Sequence, residues 1–100
     1  MMEAQEQRKY RATGRMVLRR IGKDQLLVPV SGAIAQTNAV FPLNATGALI
    51  WQHITGGESV PETAKALARA FDVSLEQARN DVTSFIQRLL DEQLLEATPS

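Results

Sequence analysis

The stretch Phe41-Pro42-Leu43-Asn44-Ala45-Thr46-Gly47-Ala48-Leu49-Ile50-Trp51 decides the fold. It reads as the end of a strand running straight into a helix. Phe41 and Leu43 are two apart and share one face of a strand. Asn44 is a preferred N-cap, because its side-chain oxygen can accept one of the orphan N–H groups of a first helical turn. Ala48, Leu49, Trp51 and Ile54 then form an apolar stripe that a helix would bury. Trp51 is the sole tryptophan and the largest apolar surface the chain can bury, so it is expected in the core. Gly47 stands in the first turn, where another residue would favour the helix more. The expected reason is close approach of another backbone. The stretch thus joins a strand-rich front half to a helix-rich back half.

Upstream, Met16 to Ile21 and Gln25 to Val30 read as two strands around the Gly22-Lys23-Asp24 turn. Pro29 removes a ladder donor and marks an edge, a bulge or a strand end. Thr37 to Leu43 is the third strand, and the short turns favour an antiparallel meander. Residues 1–13 show no apolar periodicity and read as a flexible basic arm, leaving 14–97 as one domain.

Downstream, the first helix runs from Asn44 to about Thr55 and stops at Gly56-Gly57. Ser59-Val60-Pro61-Glu62 is a capping box with proline in the first turn. It starts a helix with Val60, Ala64, Leu67, Ala68 and Phe71 on one face. Ser74-Leu75-Glu76-Gln77 repeats the box and opens a third helix, on which Leu75, Ala78, Val82, Phe85 and Leu89 keep helical spacing. Leu94-Leu95 reads as a short last strand or a return onto the core. The expected fold is an α+β, winged-helix-like domain: an N-terminal three-stranded antiparallel sheet, then three helices.

Composition narrows the function. One hundred residues make one domain, long enough to bury about two thirds of its unfolded surface. The chain has no cysteine and one histidine, His53, so thiolate metal sites and disulfides are excluded and neither a cofactor nor a metal is expected. There is no nucleophile–base pair at sensible spacing, and we expect no enzyme. No apolar run reaches the roughly 18 residues of a membrane span, and the polar N-terminus has no signal-peptide core. A cytoplasmic protein is expected. Met1 to Lys23 carries seven Lys and Arg against two acids, net +5, and the remainder is net −5. A basic front attracts acidic partners or is simply a solvated arm.

A winged helix raises the question of nucleic acid. The third helix, however, sets Arg79 and Arg88 against Glu76, Asp81, Asp91 and Glu92. A net negative helix is a poor reader of phosphate. Its second stripe, Arg79, Thr83, Ile86 and Leu90, says more. Ile86 and Leu90 widen the apolar arc beyond what one sheet face needs. Either both are core, or they form one wall of a groove. In the second case an extended peptide would pair with the strand at Thr37, Asn38, Ala39, Val40 and Phe41 and press side chains on Arg79, Thr83, Ile86 and Leu90.

These runs carry a family resemblance. Leu43 to Trp51, then Gly56-Gly57-Glu58-Ser59-Val60-Pro61-Glu62, then Phe71-Asp72-Val73-Ser74 and Asp81-Val82-Thr83-Ser84-Phe85, resemble the PqqD-like family of coenzyme PQQ synthesis protein D relatives, also called RiPP recognition elements. Val17 to Ile21 and Leu26 to Pro29 fit as well, so the resemblance covers about residues 15–96. It implies a non-catalytic peptide-binding protein. Such a protein takes the leader of a ribosomally made precursor as an added strand and presents it to a modifying enzyme, often a radical SAM protein. Pro42 departs from a pairing strand, because it has no N–H to give, so pairing would use Thr37 to Phe41. The alternative is a winged-helix nucleic-acid-binding or dimeric regulatory protein. A homodimer through the open strand edge also stays open.

Overall fold

A computed structural model of the chain describes residues 8–30 and 40–98. Its elements are β1 (Tyr10–Ala12), β2 (Met16–Ile21), β3 (Asp24–Pro29), β4 (Phe41–Leu43), α1 (Ala45–Thr55), α2 (Val60–Phe71), α3 (Leu75–Asp91) and β5 (Leu95–Ala97). β2, β3 and β4 form an antiparallel three-stranded sheet in that order. Leu18, Leu27 and Phe41 lie in one row across it, and Leu27 is fully buried. Pro29 is the last residue of β3, paired with Met16, where its missing donor costs least. The expected strand from Thr37 onward lies outside the described residues as far as Ala39.

The front end differs from the expected flexible arm. Tyr10–Ala12 is a strand, paired antiparallel with β5 in a second, two-stranded sheet. Tyr10 and Ala12 alternate with Arg11 and pack against the core. Around them the Thr13 N–H donates to the Leu94 carbonyl (3.1 Å), and the Thr98 N–H to that of Lys9 (3.0 Å). Arg11 and Glu96 face each other at 2.6 Å. Both are substantially exposed, so the pair is worth under about 1 kcal/mol. Three residues are too short to show a period, and the partner strand lies at the other end of the chain.

Local chemistry sets each helix end. The Asn44 Oδ1 accepts the Gly47 N–H at 2.8 Å. α1 ends at Gly56, followed by Gly57 at φ 101, a conformation that favours glycine. Thr55 Oγ1 donates back to the Trp51 carbonyl at 2.6 Å. His53 Nδ1 lies 2.6 Å from Glu58 Oε2, and because a carboxylate only accepts, the proton sits on Nδ1. This contact fastens the turn between α1 and α2.

At α2 the capping box is complete. The Glu62 carboxylate accepts the Ser59 N–H at 2.9 Å and its hydroxyl at 3.0 Å, while Ser59 Oγ accepts the Glu62 N–H at 3.4 Å. The α3 box is only half formed. Ser74 Oγ accepts the Gln77 N–H at 3.0 Å, but the Gln77 amide turns forward to donate to Asp81 Oδ1 at 2.9 Å. Between the helices Asp72 takes the left-handed conformation (φ 54), which acidic and amide side chains tolerate.

The Ser59 N–H is the main reason that the Glu62 carboxyl titrates below its ordinary value, helped by the Ser59 hydroxyl and, more weakly, by Lys9 and Lys65. A carboxyl with a depressed folded pKa contributes stability above its unfolded pKa and loses it as pH falls through the folded one. Part of the acid sensitivity should therefore vanish in Glu62→Gln. Urea midpoints from about pH 5 to about pH 2 should fall less steeply in that variant. Parallel curves would contradict the box's role.

The core gathers Leu27, Ile50, Trp51, Ile54, Leu67, Val82, Ile86 and Leu89 with Leu94 and Leu95. Two expected core residues are outside it: Phe71 is 40% and Leu75 46% exposed. They are the last residue of α2 and the first of α3, at the turn that joins the two helices. Thr63 is fully buried and its Oγ1 has no hydrogen-bond partner. A buried hydroxyl without a partner costs free energy, and an isosteric apolar group avoids that cost. Thr63→Val should leave stability unchanged or raise it by up to about 1 kcal/mol, read from the urea midpoint. A clear loss would show that the hydroxyl is paired.

Candidate peptide-binding groove

β4 is the edge of its sheet, with only β3 beside it among the described strands. Its other side faces α3 across a cleft of about 160 Å³. Phe41, Pro42, Leu43 and Asn44 form one wall. Phe85, Arg88, Leu89 and Glu92 form the other. The helix residues follow the spacing i, i+3, i+4 and i+7, which places them along one face. Phe85 and Leu89 give an apolar floor, and Arg88 and Glu92 set opposite charges on the rim.

Gly47 explains how the floor is built. A Cβ on Gly47 would lie 2.9 Å from Phe85 Cε1 and 3.3 Å from Asn44 Oδ1. The close approach expected at Gly47 is therefore real, but it comes from an aromatic ring and not from another backbone. The ring rests on the first turn of α1, beside the capping amide. A more open, polar surface continues the same side of α3 along Thr83, Ser84, Gln87, Arg88, Asp91 and Glu92.

The structure redistributes the residues expected at the site. Thr37, Asn38 and Ala39 lie outside the described residues. Val40 is 50% exposed just ahead of the edge strand. Phe41 lines the groove. Arg79 is half-buried and makes an interaction within the chain. Thr83 lies on the open polar surface. Leu90 is half-buried against the core. Ile86 corrects the expected groove wall: it is 3% exposed and belongs to the core cluster. Phe85 takes the role foreseen for Ile86, and Ile86 the role foreseen for Phe85. At about 100° per residue, the two lie on opposite flanks of the line through Ala78, Val82 and Leu89. Helical spacing finds that line, but it does not tell which flank meets the strand. Arg88, Leu89 and Glu92 were missed as groove residues for the same reason.

Among the described residues no three His, Asp or Glu side chains come together as a metal site, and no helix is long and apolar enough to cross a membrane. The groove therefore offers burial, backbone pairing and two rim charges.

A family model described as coenzyme PQQ synthesis protein D (PqqD) matches residues 26–95. The chain belongs to the PqqD family. The matched span contains β4, all three helices and every groove residue. Two solved structures share the fold. One, described as "Lasso peptide synthetase B1 complexed with the leader peptide", is 21% identical with a TM-score of 0.73, over 91% of this chain and 99% of that one. The other, "TbiB1 in Complex with the TbiA(beta) Leader Peptide", is 23% identical with a TM-score of 0.71, over 90% and 99%. The search of curated proteins found no match. This PqqD-family chain thus has the α+β architecture expected from its sequence, with the β1–β5 sheet added.

Proposed function

We propose that this PqqD-family chain is a non-catalytic adaptor that captures the leader of a ribosomally made precursor peptide and presents it to a modifying enzyme. The observation that carries this reading is an edge strand facing a helix across a cleft with an apolar floor and a charged rim. The two structural neighbours, each captured with a leader peptide, support it. An edge strand offers N–H and C=O groups that any extended backbone can satisfy. Pro42 has no N–H, so pairing runs ahead of it, along Thr37 to Phe41. Alternate leader side chains then enter the cleft over Phe85 and Leu89. Each well-buried one contributes about 1.5–3 kcal/mol. Arg88 and Glu92 select charge at the rim, each exposed pair adding under about 1 kcal/mol. The leader must lose its disorder on binding, so affinity is moderate. The work of the protein is done in the cytoplasm, where ribosomes supply the precursor.

Phe85→Ala should weaken leader binding about tenfold or more, since about 1.4 kcal/mol is one decade. Thr83→Ala should leave it unchanged. Calorimetry against a synthetic leader reads both, with circular dichroism to check the fold. Equal affinity in wild type and a folded Phe85→Ala variant would place the peptide elsewhere.

A further inference from the structure

The second face of the sheet is unusual for a strand meander. Antiparallel sheets commonly turn one face to the core and a polar one to water. Here Met16, Leu18, Leu27, Phe41 and Leu43 face the core. By strict alternation the other face carries Val17, Arg19 and Ile21 on β2, Asp24, Leu26 and Val28 on β3, and Pro42 on β4. The register agrees: Val17 stands opposite Val28, and Arg19, Leu26 and Pro42 form one row. Val17, Leu26 and Val28 are absent from the residues packed on the core. Ile21 is 61% exposed. Cations interrupt this apolar face: Arg19 stands on it and Lys23 in the turn beside it, both exposed, with Asp24 as the acid opposite Ile21, while Arg20 belongs to the core-facing side with Leu18. No salt bridge holds Arg19 or Lys23 among the described residues.

We infer that the outer face of the β2-β3-β4 sheet is a docking surface for the peptide-modifying enzyme, through an apolar patch on that enzyme rimmed by carboxylates. The inference rests on the adaptor reading above. Area and charge choose the partner. Two six-residue strands and the three-residue β4, about 4.8 Å apart, present under about 300 Å². Two copies would bury well below the roughly 1,000 Å² of a stable interface. They would also bring together two faces of the same net positive charge, Arg19 and Lys23 against Asp24 on each, which is repulsive. A carboxylate-rimmed partner turns the same cations into attraction. A small, polar-rimmed contact suits transient delivery, and transient complexes occupy the low end of interface size. The face also lies on the opposite side of the sheet from the core, so its partner need not displace a peptide held between β4 and α3.

Two variants test it, with the modifying enzyme encoded alongside the chain's precursor peptide as the immobilised probe. Val17→Thr/Val28→Thr keeps β-branched side chains in one cross-strand pair but makes the patch polar. Arg19→Glu/Lys23→Glu reverses the rim. Both should weaken enzyme binding at least tenfold, and the second should also flatten its salt dependence. Leader affinity by calorimetry should equal wild type in both. Unchanged enzyme binding with intact leader affinity would overturn the inference and leave the adaptor reading standing. A wild-type dimer in sedimentation that dissociates in both variants would assign the face to a second copy and overturn it as well. A wild type that binds the enzyme through this face but binds no leader would sink the adaptor reading alone.

Discussion

Ile86→Asp is expected to unfold the domain. Ile86 is 3% exposed and lies in the central cluster with Val82, Leu89 and Ile54. A carboxylate there would lose its hydration, and among the described residues no buried cation stands to replace it. The effective penalty for such a charge is several kcal/mol, and the lost apolar burial adds about 1.5–3 kcal/mol. A domain of this size has only about 5–15 kcal/mol in total. Protonating the new acid would relieve part of the charge cost but would leave a buried polar group. Far-UV circular dichroism and a urea titration of the purified variant check this. A cooperative, native-like transition in Ile86→Asp would mean that the side chain reaches water, and the groove would then lie on the opposite flank of α3.

The second large effect is Trp51→Ala, which should cost about 3–5 kcal/mol, as other deletions of large core side chains do. Trp51 is 6% exposed at the middle of α1, the helix that contacts α2, α3, β1 and β4. Removing the indole leaves a cavity where these layers meet. The denaturation midpoint should fall by a third or more of its span, with the slope against urea preserved. An equally stable variant would show the indole at the surface, as a contact for a partner.

The contrast between Ile86 and Phe85 shows what sequence can and cannot say here. Capping chemistry is local, so Asn44, Ser59 and Ser74 marked all three helix starts correctly, and Gly56-Gly57 marked a stop. Period is local too, so the change from strand to helix at Asn44 was legible. The Gln77 half of the second box was not, because Asp81, four residues on, competes for the same amide. β1 escaped notice because three residues cannot display a period and their partner is distant in sequence. The groove was legible as a pair of elements, the third strand and the third helix. Its helix residues were not, because the wheel has two flanks and only tertiary packing orders them. Gly47 held the one clue. A glycine in a first helical turn signals a close neighbour, and that neighbour is the Phe85 ring, which defines the groove side.

Chemical-shift mapping of the labelled chain during titration with the precursor's leader tests the central claim most directly. The account predicts that resonances of Phe41, Leu43, Phe85 and Leu89 and the Arg88 side chain move together and saturate at one affinity. Arg79, Thr83 and Leu90 should stay near their free positions. Saturable shifts confined to Arg79, Thr83 and Leu90, with Phe85 and Leu89 unmoved, would contradict it.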